Sequence, residues 1–162
     1  MALSTIGTNS IADDAVTAAK ATGFGKILQV QSTILNSNIS TSSTSLEATS
    51  FSDSITPSAT TSKILILING GRSSYSGGEA EGTAELYYQV GSGSFSGITN
   101  VIKSNNNQSG GFGKPTMSFN YLHSPSSTST LTYKVYIKTS ANTYYLNSDT
   151  SNMNMTLMEI GA

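Results

Sequence analysis

One histidine, His123, and nine carboxylates are the whole acid–base stock of this 162-residue chain near neutral pH, and it has no cysteine. Without thiols there is no disulfide, no thiolate nucleophile and no sulfur-ligated zinc. With one imidazole, a transition metal lacks its usual ligand set. Acid–base catalysis needs titratable groups that converge, and these acids are scattered. His123 follows a strand-like run and precedes Ser124-Pro125, which suits a structural hydrogen bond at a strand end. Asp13 and Asp14 are adjacent, without the ligand spacing of a calcium loop, so they suit capping or solvation. Gly111-Phe112-Gly113-Lys114 is followed by Pro115 where a phosphate loop needs Ser or Thr. No catalytic residue, cofactor or metal site is expected, and no enzyme.

Tyrosine offers binding chemistry instead, with eight copies and no tryptophan. A phenol stacks on a sugar ring while its hydroxyl hydrogen-bonds. Tyr75 lies in a polar loop with Arg72, Glu79 and Glu81, and these four form the candidate receptor-binding group; the alternative for Tyr75 is a crowded contact with its neighbours. Tyr87 alternates against Leu86 and Tyr88, so it points outward, where it could pack between subunits. Tyr144 and Tyr145 point to opposite faces. Aromatics exposed on a sheet are commonly covered by oligomerisation.

The background to these residues is polar and nearly uncharged. Charged residues make up 10% and the net charge is −1, so there is no long-range attraction to a phosphate backbone or an anionic membrane. Neither nucleic acid nor membrane is an expected partner. Ser and Thr together number 50, joined by 15 Gly and 13 Asn. The first residues carry no basic, apolar leader pattern. The longest apolar run, Ile64 to Ile68, is far shorter than the roughly 20 residues that span a bilayer.

Two regions follow from patterning. Residues 1–24 form an N-terminal arm too poor in apolar mass for a core of its own. A short helix could open at Ser10 or Asp13 and end before Gly23. Ile6, Ile11 and Val16 recur every five residues, a period of neither helix nor strand, so they are the candidate partner-binding residues of the arm. Residues 25–162 form the second region, with strand-like stretches at 26–33, 46–56, 63–68, 83–90, 98–103, 116–122, 131–139, 143–147 and 153–160. In the first of these, Leu28 and Val30 share one face and Gln29 and Gln31 the other. Lys63 to Ile68 is apolar on both faces, which predicts a central strand covered on both sides. Gly70 to Gly78 and the 104–111 stretch suit mobile loop tips. The expected fold is all-β, an antiparallel, jelly-roll-like β-sandwich with an extended arm.

Several stretches, in order, resemble bacteriophage virion appendage proteins, especially tail-fibre proteins of phages that infect aquatic bacteria, including cyanobacteria. Residues Ile11 to Lys20 are similar to the I-x-D-x-A-V-T-x-A-K unit found before fibre domains. Gly25-Lys26-Ile27-Leu28-Gln29-Val30 resembles their G-K-I-L-Q-V opening, and Ser54-Ile55-Thr56-Pro57 with Ser62-Lys63-Ile64-Leu65 their S-I-T-P…S-K-I-L pattern. Ser118 to Pro125 resembles S-x-x-Y-L-D-S-P with His123 in place of the aspartate, and Met155 to Ile160 resembles I-T-L-M-E-I. The resemblance implies a homotrimer made in the host cytoplasm and carried in the virion. Its arm would attach to a baseplate or tail protein, and its β-domain would face host surface polysaccharide. One arm unit stands where long fibres carry many, which also admits a protein that decorates the head shell and contacts the major capsid protein.

Overall fold

The computed structural model describes residues 26–76, 80–98, 103–104 and 116–161. The arm with Ile6, Ile11, Val16 and Asp13-Asp14, its short helix, Glu79 and the 105–111 stretch lie outside the described residues. All regular structure described is β: β1 (Lys26–Leu35), β2 (Ile39–Thr41), β3 (Glu47–Ile55), β4 (Lys63–Arg72), β5 (Ser74–Ser76), β6 (Gly82–Val90), β7 (Ser96–Gly97), β8 (Lys103–Ser104), β9 (Thr116–His123), β10 (Leu131–Thr139), β11 (Thr143–Leu146) and β12 (Met153–Gly161).

The first sheet runs β1-β12-β4-β9 and the second β3-β10-β6-β7, with β8 further along the same strand β6. Setting aside the short β2-β11-β5 sheet, and treating β7 and β8 as one edge, the main strands alternate between two antiparallel sheets as first-eighth-third-sixth and second-seventh-fourth-fifth. That is the doubled Greek-key order of a jelly roll, so the expected all-β sandwich is the fold observed. The core lies between the sheets. It takes Ile64, Ile66 and Ile68 from β4 and Met153, Met155 and Leu157 from β12. Leu131, Tyr133, Val135 and Ile137 of β10, with Phe51 and Ile55 of β3, close it from the other side. Strict alternation on β10 puts every second residue inside, which is why its span matches the expectation residue for residue.

β1 separates its residues as the alternation predicts, with Leu28 and Val30 exposed to solvent and Gln29 turned inward, because a bulge between Ile27 and Gln29 sets Gln29 opposite Glu159, a buried carboxylate that needs its donor. Two other expectations need correction. β4 is central in its sheet but covered on one side only: Ile64, Ile66 and Ile68 are buried, while Leu65 and Leu67 are half-buried on the outside. Of the expected 98–103 strand, residues 99–102 lie outside the described residues; Ile98 follows β7 and Lys103 opens β8, and both short strands pair with β6. Within the expected 70–78 loop, Gly70 to Arg72 extend β4 and Ser74 to Ser76 form β5, pairing with β11 at one end of the sandwich.

Candidate functional site

Two outward sheet faces differ sharply in chemistry. On the first sheet, Val30 stands opposite Met158, Met158 opposite Leu65, and Leu65 opposite Leu122, an unbroken apolar rung across all four strands. On one side of it lie Ile27 and Ile160, then Lys63; on the other lie Ser32, Thr156, Leu67 and Asn120. The next rung, Ile34, Asn154, Asn69 and Ser118, forms a mostly polar rim. Ile27 is 59%, Val30 50%, Ile34 57% and Leu122 47% exposed, on a strand system whose inner residues approach zero. Antiparallel sheets that face water alternate apolar-in and polar-out. This sheet is apolar on both sides at its centre, and an exposed apolar patch with a polar rim is the mark of a contact surface.

The outer face of the second sheet is polar and charged. β6 contributes Glu85, Tyr87 and Gln89, opposite Tyr136, Lys134 and Thr132 of β10. Tyr87 points outward as expected and stacks on Tyr136, with ring centroids 4.1 Å apart. Phe95 tilts against Tyr136 at 6.0 Å, and the Lys134 ammonium lies 5.1 Å from the Phe95 centroid. Burial, then the Glu85 charge and Tyr136, raise the Tyr87 pKa, so this phenol stays protonated. These rings cover one another within the chain. Tyr136 was legible as outward, since it alternates against buried Val135 and Ile137; Phe95 lies in irregular chain just before β7, where no period reports its direction.

Of the four candidate receptor residues, Arg72, Tyr75 and Glu81 are described and Glu79 is not. Tyr75 is half-buried in β5, its ring 5.3 Å from that of Tyr144 and its hydroxyl accepting the Gly82 N–H at 2.8 Å. Its ring and oxygen therefore serve the fold. Arg72 ends β4 and its Nε lies 3.6 Å from Asp149, an exposed pair of the kind that contributes little stability. Glu81 is exposed, with its main chain tied to Ser140. Among the described residues no cluster of three or more His, Asp or Glu could hold a metal ion.

His123 ends β9 facing inward, where its Nδ1 meets the Tyr133 hydroxyl at 2.8 Å and the Tyr88 ring packs edge-on at 4.5 Å. It joins the two sheets, a structural hydrogen bond as the sequence suggests. Burial lowers its pKa from the ordinary 6.5. A histidine held neutral contributes stability that is present above that ordinary value and lost as pH falls below it. Urea midpoints of the wild type should drop between pH 7 and 5.5, and His123→Gln should flatten that drop. An equally steep drop in the variant would show that other groups cause it.

Fold and faces together define the class: a jelly-roll sandwich with one polar outer face and one apolar outer face. No protein-family model matches the chain, and no curated protein matches it by sequence. Among solved structures, the infectious bursal disease virus VP2 subviral particle is similar at 17% identity and a TM-score of 0.48, over 82% of this chain and 39% of that one. A mutant VP2 protein of the same virus, in T=1 particles, gives 16% and 0.47 over 83% and 36% of the two chains. The Gx strain of that virus gives 12% and 0.43 over 82% and 41%. The chain spans about two fifths of the length of these proteins.

Proposed function

We propose that this chain is a structural protein of a bacteriophage virion, a homotrimeric tail fibre. Residues 1–24 dock on the tail or baseplate through Ile6, Ile11 and Val16, and the β-domain contacts the host surface and its polysaccharide. The observation that carries the reading is the apolar outer face of the first sheet, which a lone subunit leaves in water and an assembly would cover. The ordered stretches similar to phage fibre proteins support it, and so does an uncharged Ser/Thr/Asn composition suited to close subunit packing. None of this asks for catalysis, and purified protein incubated with host envelope polysaccharide should release no sugar fragments.

Labelled antibody against the chain, applied to intact particles, tests the position. Label at the tail is expected. Label confined to the head would end the fibre reading in favour of a shell-decorating protein built on the same sandwich.

A further inference from the structure

We infer that copies of this chain meet through the outer face of the β1-β12-β4-β9 sheet, with Val30, Met158, Leu65 and Leu122 at the centre of the contact. The inference rests on the homo-oligomeric part of the proposed function and adds the surface and its occupant.

The occupant follows from chemistry, size and edge. In chemistry, the face offers one charged side chain, Lys63, across the four rungs, and it sits at the margin. A partner bringing charges to the centre would bury them unpaired, at high cost. Further copies bring the same uncharged, apolar centre and the same polar rim, and three such faces turned toward a common axis meet without like-charge repulsion.

In size, four strands about 4.8 Å apart and eight to ten residues long at about 3.4 Å each make a face of about 500 Å² in projection. This is of the same order as the about 800 Å² that each partner contributes to a stable protein interface. That is far larger than a small ligand covers. At the edge, β1 is the last strand of its sheet, ten residues long, without proline and without charge from Ile27 to Leu35. Monomeric proteins guard such edges with charge, proline or short length.

β4 gives the same answer from inside the sheet. Its run Ile64 to Ile68 has the pattern of a strand buried on both faces, and the described residues cover only one of them. The opposite sheet cannot serve as well, since its outer face carries Glu85 and Lys134 and its aromatic rings already pack on each other.

Light scattering coupled to gel filtration, and sedimentation across a dilution series, test this on the full 162-residue chain. The wild type is expected to be a trimer. Val30→Lys with Leu122→Lys places like charges on half-exposed positions, where the fold tolerates them, and should weaken association at least about tenfold with an unchanged circular dichroism spectrum. Ile34→Lys is a second, independent variant on the same face, and Gln89→Lys on the other sheet is the control that should remain trimeric. If both face variants associate as tightly as the wild type, the surface is wrong while the homo-oligomer stands. A wild type that is monomeric throughout overturns the second copy as occupant and the trimer with it, whatever the antibody shows on particles.

Discussion

Gly82→Ala should cost the protein about 3 kcal/mol or more, at the upper end of what overpacking a core does. Gly82 opens β6 directly against the Tyr144 ring. A Cβ there would press on Cδ2 and lie 2.6 Å from both Cε2 and Cγ of that ring, closer than nonbonded carbons approach. The ring has nowhere to go. Tyr144 is fully buried, its hydroxyl is 3.1 Å from Ser73 Oγ, and burial pushes its pKa up to about 12. Tyr75 packs against the same ring, and its hydroxyl accepts the Gly82 N–H. Relief therefore requires β6 or β11 to move, and β6 is paired along its whole length to β10, so the strain spreads to the core. Urea unfolding of the two proteins checks this. Combining Gly82→Ala with Tyr144→Leu should be markedly less damaging than the sum of the single changes, because both act through one contact. A loss under about 1 kcal/mol for Gly82→Ala would mean that this end of the sandwich is loosely packed.

How much of this was visible in the sequence depends on how local the deciding interaction is. β10 and β6 alternate cleanly, and alternation is a property of consecutive residues, so span and facing came out together. β3 was legible for the same reason: Phe51 and Ile55 fall inside, and β3 ends before Pro57, which cannot donate to a ladder. Of the β2-β11-β5 sheet only β11 was legible, inside the expected 143–147 stretch; β2 and β5 were not, because three-residue strands are too short to show a period and are held by register with distant partners. Tyr75 reads as a polar-loop residue locally and is fixed by Tyr144, 69 positions later in the chain. Val30 and Gln29 fall on opposite faces by alternation alone, but which face meets the core was not legible, because the partner that draws this strand's polar face inward, Glu159, lies at the other end of the chain. The candidate surface was half legible: the run from Ile64 to Ile68 announced a strand apolar on both faces, but one sequence cannot say that the second cover comes from another molecule.

Glu159→Gln is the sharpest probe of that reversed strand, and it should cost about 1.5–3 kcal/mol near pH 7, the range for hydrogen bonds to a charged group. Glu159 is 1% exposed. Its carboxylate accepts the Ser58 N–H at 2.7 Å, the Ser58 hydroxyl at 2.6 Å and the Gln29 amide at 2.6 Å, and Gln29 also donates to the Thr56 carbonyl at 2.6 Å. Three segments far apart in the chain thus converge on one knot: Gln29 of β1, Thr56 to Ser58 after β3, and Glu159 of β12. Burial raises the carboxyl pKa, but the Ser58 and Gln29 hydrogen bonds outweigh it and bring the value from 4.5 down to about 2. The sign follows directly: the contribution is present above 4.5 and lost as pH falls through about 2. Glutamine resembles the protonated acid, so wild type and variant should differ most near neutral pH and converge as pH approaches 2 in a series of unfolding curves. A difference that stays constant with pH would mean that the carboxylate charge contributes nothing. The knot also turns Gln29 inward and so presents Leu28 and Val30 outward, which makes a second consequence testable: the variant should self-associate more weakly, although Glu159 itself lies inside the sandwich, away from the contact face.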